Sequence, residues 1–457
     1  MGNAFLNGIT NEKVYVIAGD EFGNEAAGKR MIIHKSLYGL KSSAARFHEH
    51  LSITLRKMGY KPSKADPDLW FKDCGEHYEY IARYVDDVIS FSKDPMKVMN
   101  HLATIYKMKG VGKPQYYLGG DVVDLGEEWQ NHNMFCAFSA ETYIRNCLPK
   151  LAEMCGLNQF STKKTPFSDV YHPELDESSF LEPSDITKFK SLIGSGNWLI
   201  TLGRFDIQFA ITTLAQYSVA PREGHMKALH RVFGYLAKFP SGKIIIDTSK
   251  PPIREEMMIT KGQNWIEFYP DAIEELPPKM PTPKGIATTI TCFVDSDHAR
   301  DQVTRRSVTG ILLLLDNTPL VWVCKRQRTV ETSTYGAELV AAKMAVDLII
   351  EIRYKLRMLG VVLEETSVLL GDNMSVILNT TIPSSSLKKK NLACAYHRVR
   401  EAIAGGIIDF GKIPSELNLA DMNTKPLGSI IFHRLTNVYV FRNPPHLELV
   451  KKTSTDS

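Results

Sequence analysis

The chain has 457 residues, 44% hydrophobic and 23% charged, which is enough apolar sequence for two or three ordinary cores and too much for a disordered polymer. Its 55 Lys and Arg against 51 Asp and Glu leave a net charge of +4, which permits a nucleic-acid partner without demanding one. No run approaches the roughly 18–20 apolar residues of a membrane-spanning helix, the opening MGNAFLNGITNEKVY has no apolar signal core, and the seven scattered cysteines (74, 136, 147, 155, 292, 324, 394) show no CxxC and no zinc spacing, as expected of reduced thiols in an intracellular protein.

In chain order, residues 1–30 read as short strands and turns around Gly19, Gly23 and Gly28. A helix is expected from Ser42 or Ser43, with Phe47, Leu51 and Leu55 on one face, ending at Gly59. Residues 77–92 then read as a β-hairpin, with Tyr78, Tyr80, Ala82 and Tyr84 at a spacing of two and Asp86 and Asp87 at the tip. Strand alternation lets one aspartate face a given pocket unless a turn reorients its neighbour. A hard divalent cation would relieve the paired charges, but an acidic surface turn is an equally ordinary reading. A second amphipathic helix is expected over 93–110, and helical sequence over 140–157 and 185–240, where Gly194, Gly196, Ala210 and Ala215 permit close helix contacts. His225, Lys227, His230, Arg231 and Lys238 suggest a basic edge. Seven prolines and charged runs give 248–288 the composition of a linker or insertion.

From Ile290 three β-rich runs form a meander, followed by a helix over 333–359, a strand at 367–372, a short helix from Asn373, a helix over 393–404, a strand at 407–412 and a last helix from Asn418. Four acids fall at element boundaries: Asp295, Glu338, Asp372 and Asp421. Strand ends and helix starts are where such sheets gather ligands. Singly, Glu338 or Asp421 could merely stabilise a helix start; all four converging would call for two divalent metals and phosphoryl-transfer chemistry.

These motifs carry a resemblance. YVDD, LYGLKSSAARFHE and YYLGG resemble the reverse transcriptase of copia-type LTR retrotransposons. CFVDSDHARDQVTRRSVTG, VETSTYGAELVAA, GDNMSV and NLADMNTKPL resemble the ribonuclease H domain that follows it in the same Pol polyprotein. The resemblance implies a multidomain α+β and α/β chain: a truncated palm (1–124), a helical thumb or connection (125–247), the Pro-rich linker (248–288), a ribonuclease H-like α/β domain (289–430) and an unexplained tail (431–457). It assigns catalysis and metal binding to Asp86 and Asp87 in the polymerase and to Asp295, Glu338, Asp372 and Asp421 in the nuclease, with Mg²⁺ or Mn²⁺, two per active site. Asp297 is not counted as a ligand. Lys41, Arg46, Arg305, Arg306, Lys388, Lys389, Lys390 and His397 are the expected nucleic-acid contacts; Asn391 stands where the family usually has His.

The implied partners are an RNA template, a DNA primer, RNA–DNA hybrids and other parts of the polyprotein, with no membrane. The implied location is the cytoplasm, in virus-like particles, and the nucleus. The family's third polymerase aspartate would fall one residue before Met1, and the fingers would precede it. The expectation is therefore an inactive polymerase with surviving hydrolysis of RNA in hybrids. The alternatives are a decayed, non-catalytic relic that binds nucleic acid weakly, and a polymerase with missed upstream exons.

Overall fold

The computed structural model describes residues 4–253, 257–258 and 263–442; the expectations placed on Met1 and on the tail beyond 442 lie outside them. The chain forms two compact units. The first comprises Met1–Leu118, Pro277–Ile286 and Tyr354–Val362; the second comprises Gly119–Leu276, Ala287–Arg353 and Leu363–Ser457.

Unit 1 begins with the small ladder β1 (Tyr15–Ile17) and β2 (Arg30–Ile32), followed by α1 (Ser43–Lys57). The 47/51/55 stripe is buried against Trp70, Ile81, Val98, Leu102 and Tyr106, and each such side chain contributes about 1.5–3 kcal/mol by leaving water. Helix α1 stops because Gly59 adopts φ +88, so that Tyr60 N–H can close back on Leu55 O at 3.0 Å. An antiparallel sheet follows in the order β3 (Lys61–Pro62), β4 (Leu69–Asp73), β5 (Tyr78–Tyr84), β6 (Asp87–Phe91). Tyr84 pairs with Asp87, leaving Val85 and Asp86 as the two-residue tip of the expected hairpin.

The next helix, α2 (Pro95–Ala103), is shorter than expected, and β7 (Tyr116–Tyr117) lies beyond it. Thr104 Oγ1 donates to His101 O at 2.7 Å, competing with the helical ladder. Tyr106 is nevertheless buried, with its hydroxyl 2.9 Å from Thr54 Oγ1. The apolar residues that suggested more helix thus pack from an irregular segment.

Unit 2 opens with β8 (Gly120–Asp124), α3 (Glu127–Gln130), β9 (Met134–Ser139) and α4 (Glu141–Met154), and continues with α5 (Pro183–Thr201), α6 (Gln208–Ala215), α7 (Glu223–Lys238) and β10 (Lys243–Asp247). Gly196 does bring α5 against α6: a Cβ there would lie 2.3 Å from Ile211 Cδ1. Gly194 faces open space and plays no such part. The expected basic edge loses His225, which is buried, stacked on Tyr217 and accepts from Arg222 N–H at 3.0 Å. Burial pushes its pKa down, so it is a neutral core histidine.

The Pro-rich stretch is partly ordered packing. Trp265 is buried, with the Arg400 guanidinium over its ring, and Glu274 receives Arg353 through two hydrogen bonds of 2.7 and 2.8 Å. Strand β11 (Lys284–Thr288) then leads into β12 (Ile290–Asp297), β13 (Val308–Leu315) and β14 (Thr318–Arg326). After these come α8 (Thr334–Arg357), β15 (Val361–Leu363), β16 (Ser367–Gly371), α9 (Met374–Thr381), α10 (Ala393–Ala404) and β17 (Ile408–Lys412).

The five-stranded sheet runs β14-β13-β12-β16-β17, antiparallel in its first three strands and parallel from β12 through β16 to β17. This is the α/β layer expected after Ile290, within a mixed α and β multidomain chain. The last helix differs from expectation. Leu419–Asn423 is a 3-10 turn, and α11 (Ser429–Tyr439) starts only afterwards. Pro426 disfavours helical backbone at Lys425 and so separates the two.

Candidate active site

The carboxylate cluster follows from the sheet's register. Phe293 on β12 sits opposite Leu370 on parallel β16. Two residues further along each strand, on the same side, come Asp295 and Asp372. The strands are about 4.8 Å apart, so the two carboxylates are neighbours. Helix α8 adds Glu338 one turn in from its start, where the Ser296 backbone N–H donates to it. Carboxylate oxygens of Asp295, Glu338 and Asp372 all lie within 4.8 Å of one another, a spacing that can hold a metal.

Asp421 arrives on the 3-10 turn. Asn418 anchors that turn, donating from Nδ2 to Val294 O at 2.9 Å while its Oδ1 accepts from Ala420 N–H at 3.1 Å. Asp295 and Asp421 share one ammonium: Lys425 Nζ stands 3.7 Å from Asp295 Oδ2 and 3.0 Å from Asp421 Oδ1. Thr424 donates a short hydrogen bond to Asp295 Oδ2. All four expected acids are therefore brought together, with Asp295, Glu338 and Asp421 buried and Asp372 half-exposed.

The turn lies this close to β12 because β13 carries glycine opposite Asp295. A Cβ at Gly310 would fall 2.5 Å from Thr424 Cγ2 and 2.7 Å from Ala420 O. Gly310→Ala is expected to cost about 1–3 kcal/mol of overpacking and to displace Asp421 from its partners. Thermal denaturation together with the phosphodiester-cleavage rate would check this; an unchanged rate would mean that the Asp421 turn is not held by that contact.

Burial is the main cause that raises the Glu338 pKa well above its usual value, with Asp295 and Asp372 adding to it. Asp421 is pushed from 3.8 up to about 7, by burial first and by Asp295 second, against the opposing pull of Lys425. Burial works against charge on Lys425, yet Asp295 and Asp421 hold its pKa above the ordinary lysine value. Buried acids short of compensating charge are the electrostatic condition that divalent cations relieve, so the donor set fits such ions.

The pH consequence has a definite sign. Between about pH 4 and pH 7 folded Asp421 keeps a proton that the unfolded chain has lost, so its stabilisation is full below that window and is lost as pH rises through it. Without divalent ions the melting temperature should fall across the window. Asp421→Asn should flatten the fall, and Mg²⁺ at pH 8 should restore the loss. Scanning fluorimetry with and without EDTA would read all three, and a slope unchanged in the variant would refute the assignment.

Asp86 and Asp87 lie in unit 1. Val85 takes φ +52, a strained conformation for a β-branched residue. This turn lets both aspartates line one hollow of about 650 Å³ with Met99, Lys109, Gln115 and Tyr117. Among the described residues, neither belongs to a ligand-spaced group of three.

The expected basic contacts are dispersed. Lys41 is exposed, and Arg46 pairs with Glu49 at 2.9 Å. Arg305, at φ +56, is exposed on the β12–β13 loop beside half-buried Arg306. Lys388 and Lys390 are exposed. Lys389 donates to Ser333 Oγ at 2.6 Å at the head of α8, and His397 Nδ1 meets Tyr269 OH at 2.7 Å. Sequence reading missed Lys425, Thr424 and Asn418 as members of the cluster. The four-residue spacing from Asp421 to Lys425 was the available cue.

Residues 1–166 match the family model described as reverse transcriptase (RNA-dependent DNA polymerase). Over 450 residues the chain is 24% identical to the retrovirus-related Pol polyprotein from transposon RE1 of Arabidopsis thaliana, covering 97% of this chain and 27% of that protein. The chain is thus similar to the reverse transcriptase family over residues 1–166 and to retrotransposon Pol polyproteins over most of its length. The putative transposon Ty5-1 protein of Saccharomyces cerevisiae is 29% identical over 348 residues, 75% of this chain and 97% of that relative.

The chain spans about a quarter of the length of the Arabidopsis relatives it matches, at 27% and 28%. Similar solved structures include the N-terminal RNase H domain of a Mycobacterium tuberculosis protein, at 14% identity, TM-score 0.24, 33% of this chain and 98% of that one. Another is LC11-RNase H1 in complex with an RNA/DNA hybrid, at 16% identity, TM-score 0.23, 30% and 94%. Reverse transcriptases and ribonucleases H generally use divalent metals.

Proposed function

We propose that the α/β sheet of unit 2 hydrolyses the RNA strand of RNA–DNA hybrids. The observation that carries this reading is the convergence of Asp295, Glu338 and Asp372 within 4.8 Å, with Asp421 and Lys425 alongside. Asp295, Glu338, Asp372 and Asp421 would hold two Mg²⁺ or Mn²⁺ ions, which when bound supply Lewis acidity toward water and the scissile phosphate.

The protein's own contributions are distinct. Sheet register fixes Asp295 beside Asp372, α8 delivers Glu338 into a buried position, and Lys425 neutralises part of the cluster's charge. Arg305, Arg306, Lys388 and Lys390 are placed in loops where they can meet phosphates without reading base sequence. In unit 1, Asp86 and Asp87 line one hollow and match the pair that would hold a metal in a polymerase, but DNA synthesis is not part of the proposed activity.

The test is incubation of the full chain with a labelled RNA–DNA hybrid and Mg²⁺, beside single-stranded and duplex RNA. RNA cut only in the hybrid supports the reading. Hybrid RNA left intact with both Mg²⁺ and Mn²⁺ overturns it.

A further inference from the structure

A second cluster of ligand-type side chains lies far along the hairpin from Asp86, where no part of the proposed chemistry uses it. Cys74, His77 and Glu79 offer sulfur, nitrogen and oxygen atoms that all fall within 4.8 Å of one another. From these residues we propose that the β4–β5 turn is a zinc-class cation site with Cys74, His77 and Glu79 as its three protein ligands.

The backbone pre-builds the arrangement. Cys74 N–H donates to His77 O at 3.0 Å, so the two residues face each other across a two-residue turn. That turn is set by Gly75 at φ +87 and by Asp73 Oδ1, which accepts from Gly75 N–H at 2.8 Å. His77 sits in the turn just before β5 and Glu79 is the second residue of that strand, with their ligand atoms within 4.8 Å of each other and of Cys74 Sγ. The Glu79 carboxylate is already aimed: Oε2 accepts from Tyr60 OH at 3.0 Å and Oε1 from Ser92 Oγ at 2.6 Å. Such outer hydrogen bonds orient a metal ligand. The Cys74 thiol also hydrogen-bonds this carboxylate, and a bound cation would take the place of that thiol proton.

His77 Nδ1 is shut away from solvent without a hydrogen-bond partner, which is costly for a ring nitrogen unless something is bound there. The Lys72 ammonium is turned over the Tyr60 ring, 5.6 Å from its centroid. A mixed thiolate, imidazole and carboxylate set favours zinc over magnesium or calcium. Three protein ligands leave the fourth tetrahedral position to water. The site lies roughly 20 Å from the acidic tip, by strand rise alone.

Its consequence would be mechanical. Lys284 reaches the same turn, pairing with Asp73 and donating to Gly75 O at 2.6 Å. Tyr78 OH donates to Thr282 O at 2.9 Å. A bound cation would therefore stiffen the turn that receives residues 277–286 of unit 1.

The experiment is cobalt(II) titration of the full reduced chain, read by the thiolate-to-cobalt charge-transfer band, with zinc affinity measured by competition against a chromogenic chelator. One equivalent giving that band, with the band absent in Cys74→Ser, is the expected result. His77→Ala should weaken zinc by more than the about 10–100-fold that losing an outer partner costs, and Glu79→Gln should also weaken it. Circular dichroism of each variant separates loss of ligand from loss of fold, and the half-buried, near-isosteric Cys74→Ser change is the one to rely on if His77→Ala unfolds.

Three results would overturn the proposal. One is a wild-type protein without the band; another is a band that survives Cys74→Ser and so belongs to one of the other six cysteines. The third is stoichiometric zinc lost in Asp372→Asn but kept in Cys74→Ser.

Discussion

Asp372→Asn should lower the turnover of hybrid cleavage by on the order of 10³-fold while leaving hybrid affinity within a few-fold. The asparagine keeps the shape of the side chain at the end of β16, so the sheet register that places it beside Asp295 is preserved. What it removes is one negative charge from a cluster in which Glu338 already resists ionisation through burial, with Asp295 and Asp372 adding to the shift. Affinity should survive because the exposed cations proposed to meet phosphate are elsewhere, at Arg305, Lys388 and Lys390. Single-turnover cleavage and filter binding on the same hybrid separate the two quantities. A variant that cuts as fast as wild type would remove the cluster from the mechanism. A variant that fails to bind would make Asp372 a structural residue.

Asp206→Asn should be the most destabilising polar change in unit 2, by about 3–5 kcal/mol. Arg204 and Asp206 are almost wholly buried and joined by two hydrogen bonds of 2.9 and 2.7 Å, with Tyr235 OH donating to the same carboxylate at 2.7 Å. The guanidinium also packs over Tyr235 and Phe441. Removing the acid leaves a buried cation with nothing to compensate it. Removing both charges with apolar residues of similar volume, Arg204→Met with Asp206→Leu, should recover most of the loss. Urea denaturation of the single and double variants gives the sign. A single variant as stable as wild type would show that the pair is already solvated.

Local pattern carried much of the architecture. The period-two tyrosines placed β5, the 47/51/55 stripe placed α1, and the order of Asp295, Glu338, Asp372 and Asp421 foretold their convergence. What escaped has physical reasons. The contribution of residues 277–286 and 354–362 to unit 1 rests on contacts such as Tyr80 OH to Leu359 O at 2.7 Å, between residues 279 positions apart, which no local period encodes. The end of α2 was overrun because Tyr106 is apolar and buried without being helical. Lys425 was hidden because its partner acids come from separate elements. Counting cysteines against cysteines passed over Cys74, whose ligand-type neighbours are a histidine in the following turn and a glutamate on the facing strand.

The interleaving of the two units bears on how the chain is made. Unit 1 draws its last strand of sequence from Tyr354–Val362, so during vectorial synthesis on a ribosome it cannot be completed when residue 118, or even 276, has emerged. Its main apolar cluster comes from residues 4–108, but contacts such as Tyr80 OH to Leu359 O must wait until the whole of α8 has been translated. Expressing residues 1–276 alone would therefore yield a chain missing two pieces of that unit, and the two segments supplied in trans as peptides would be the natural rescue.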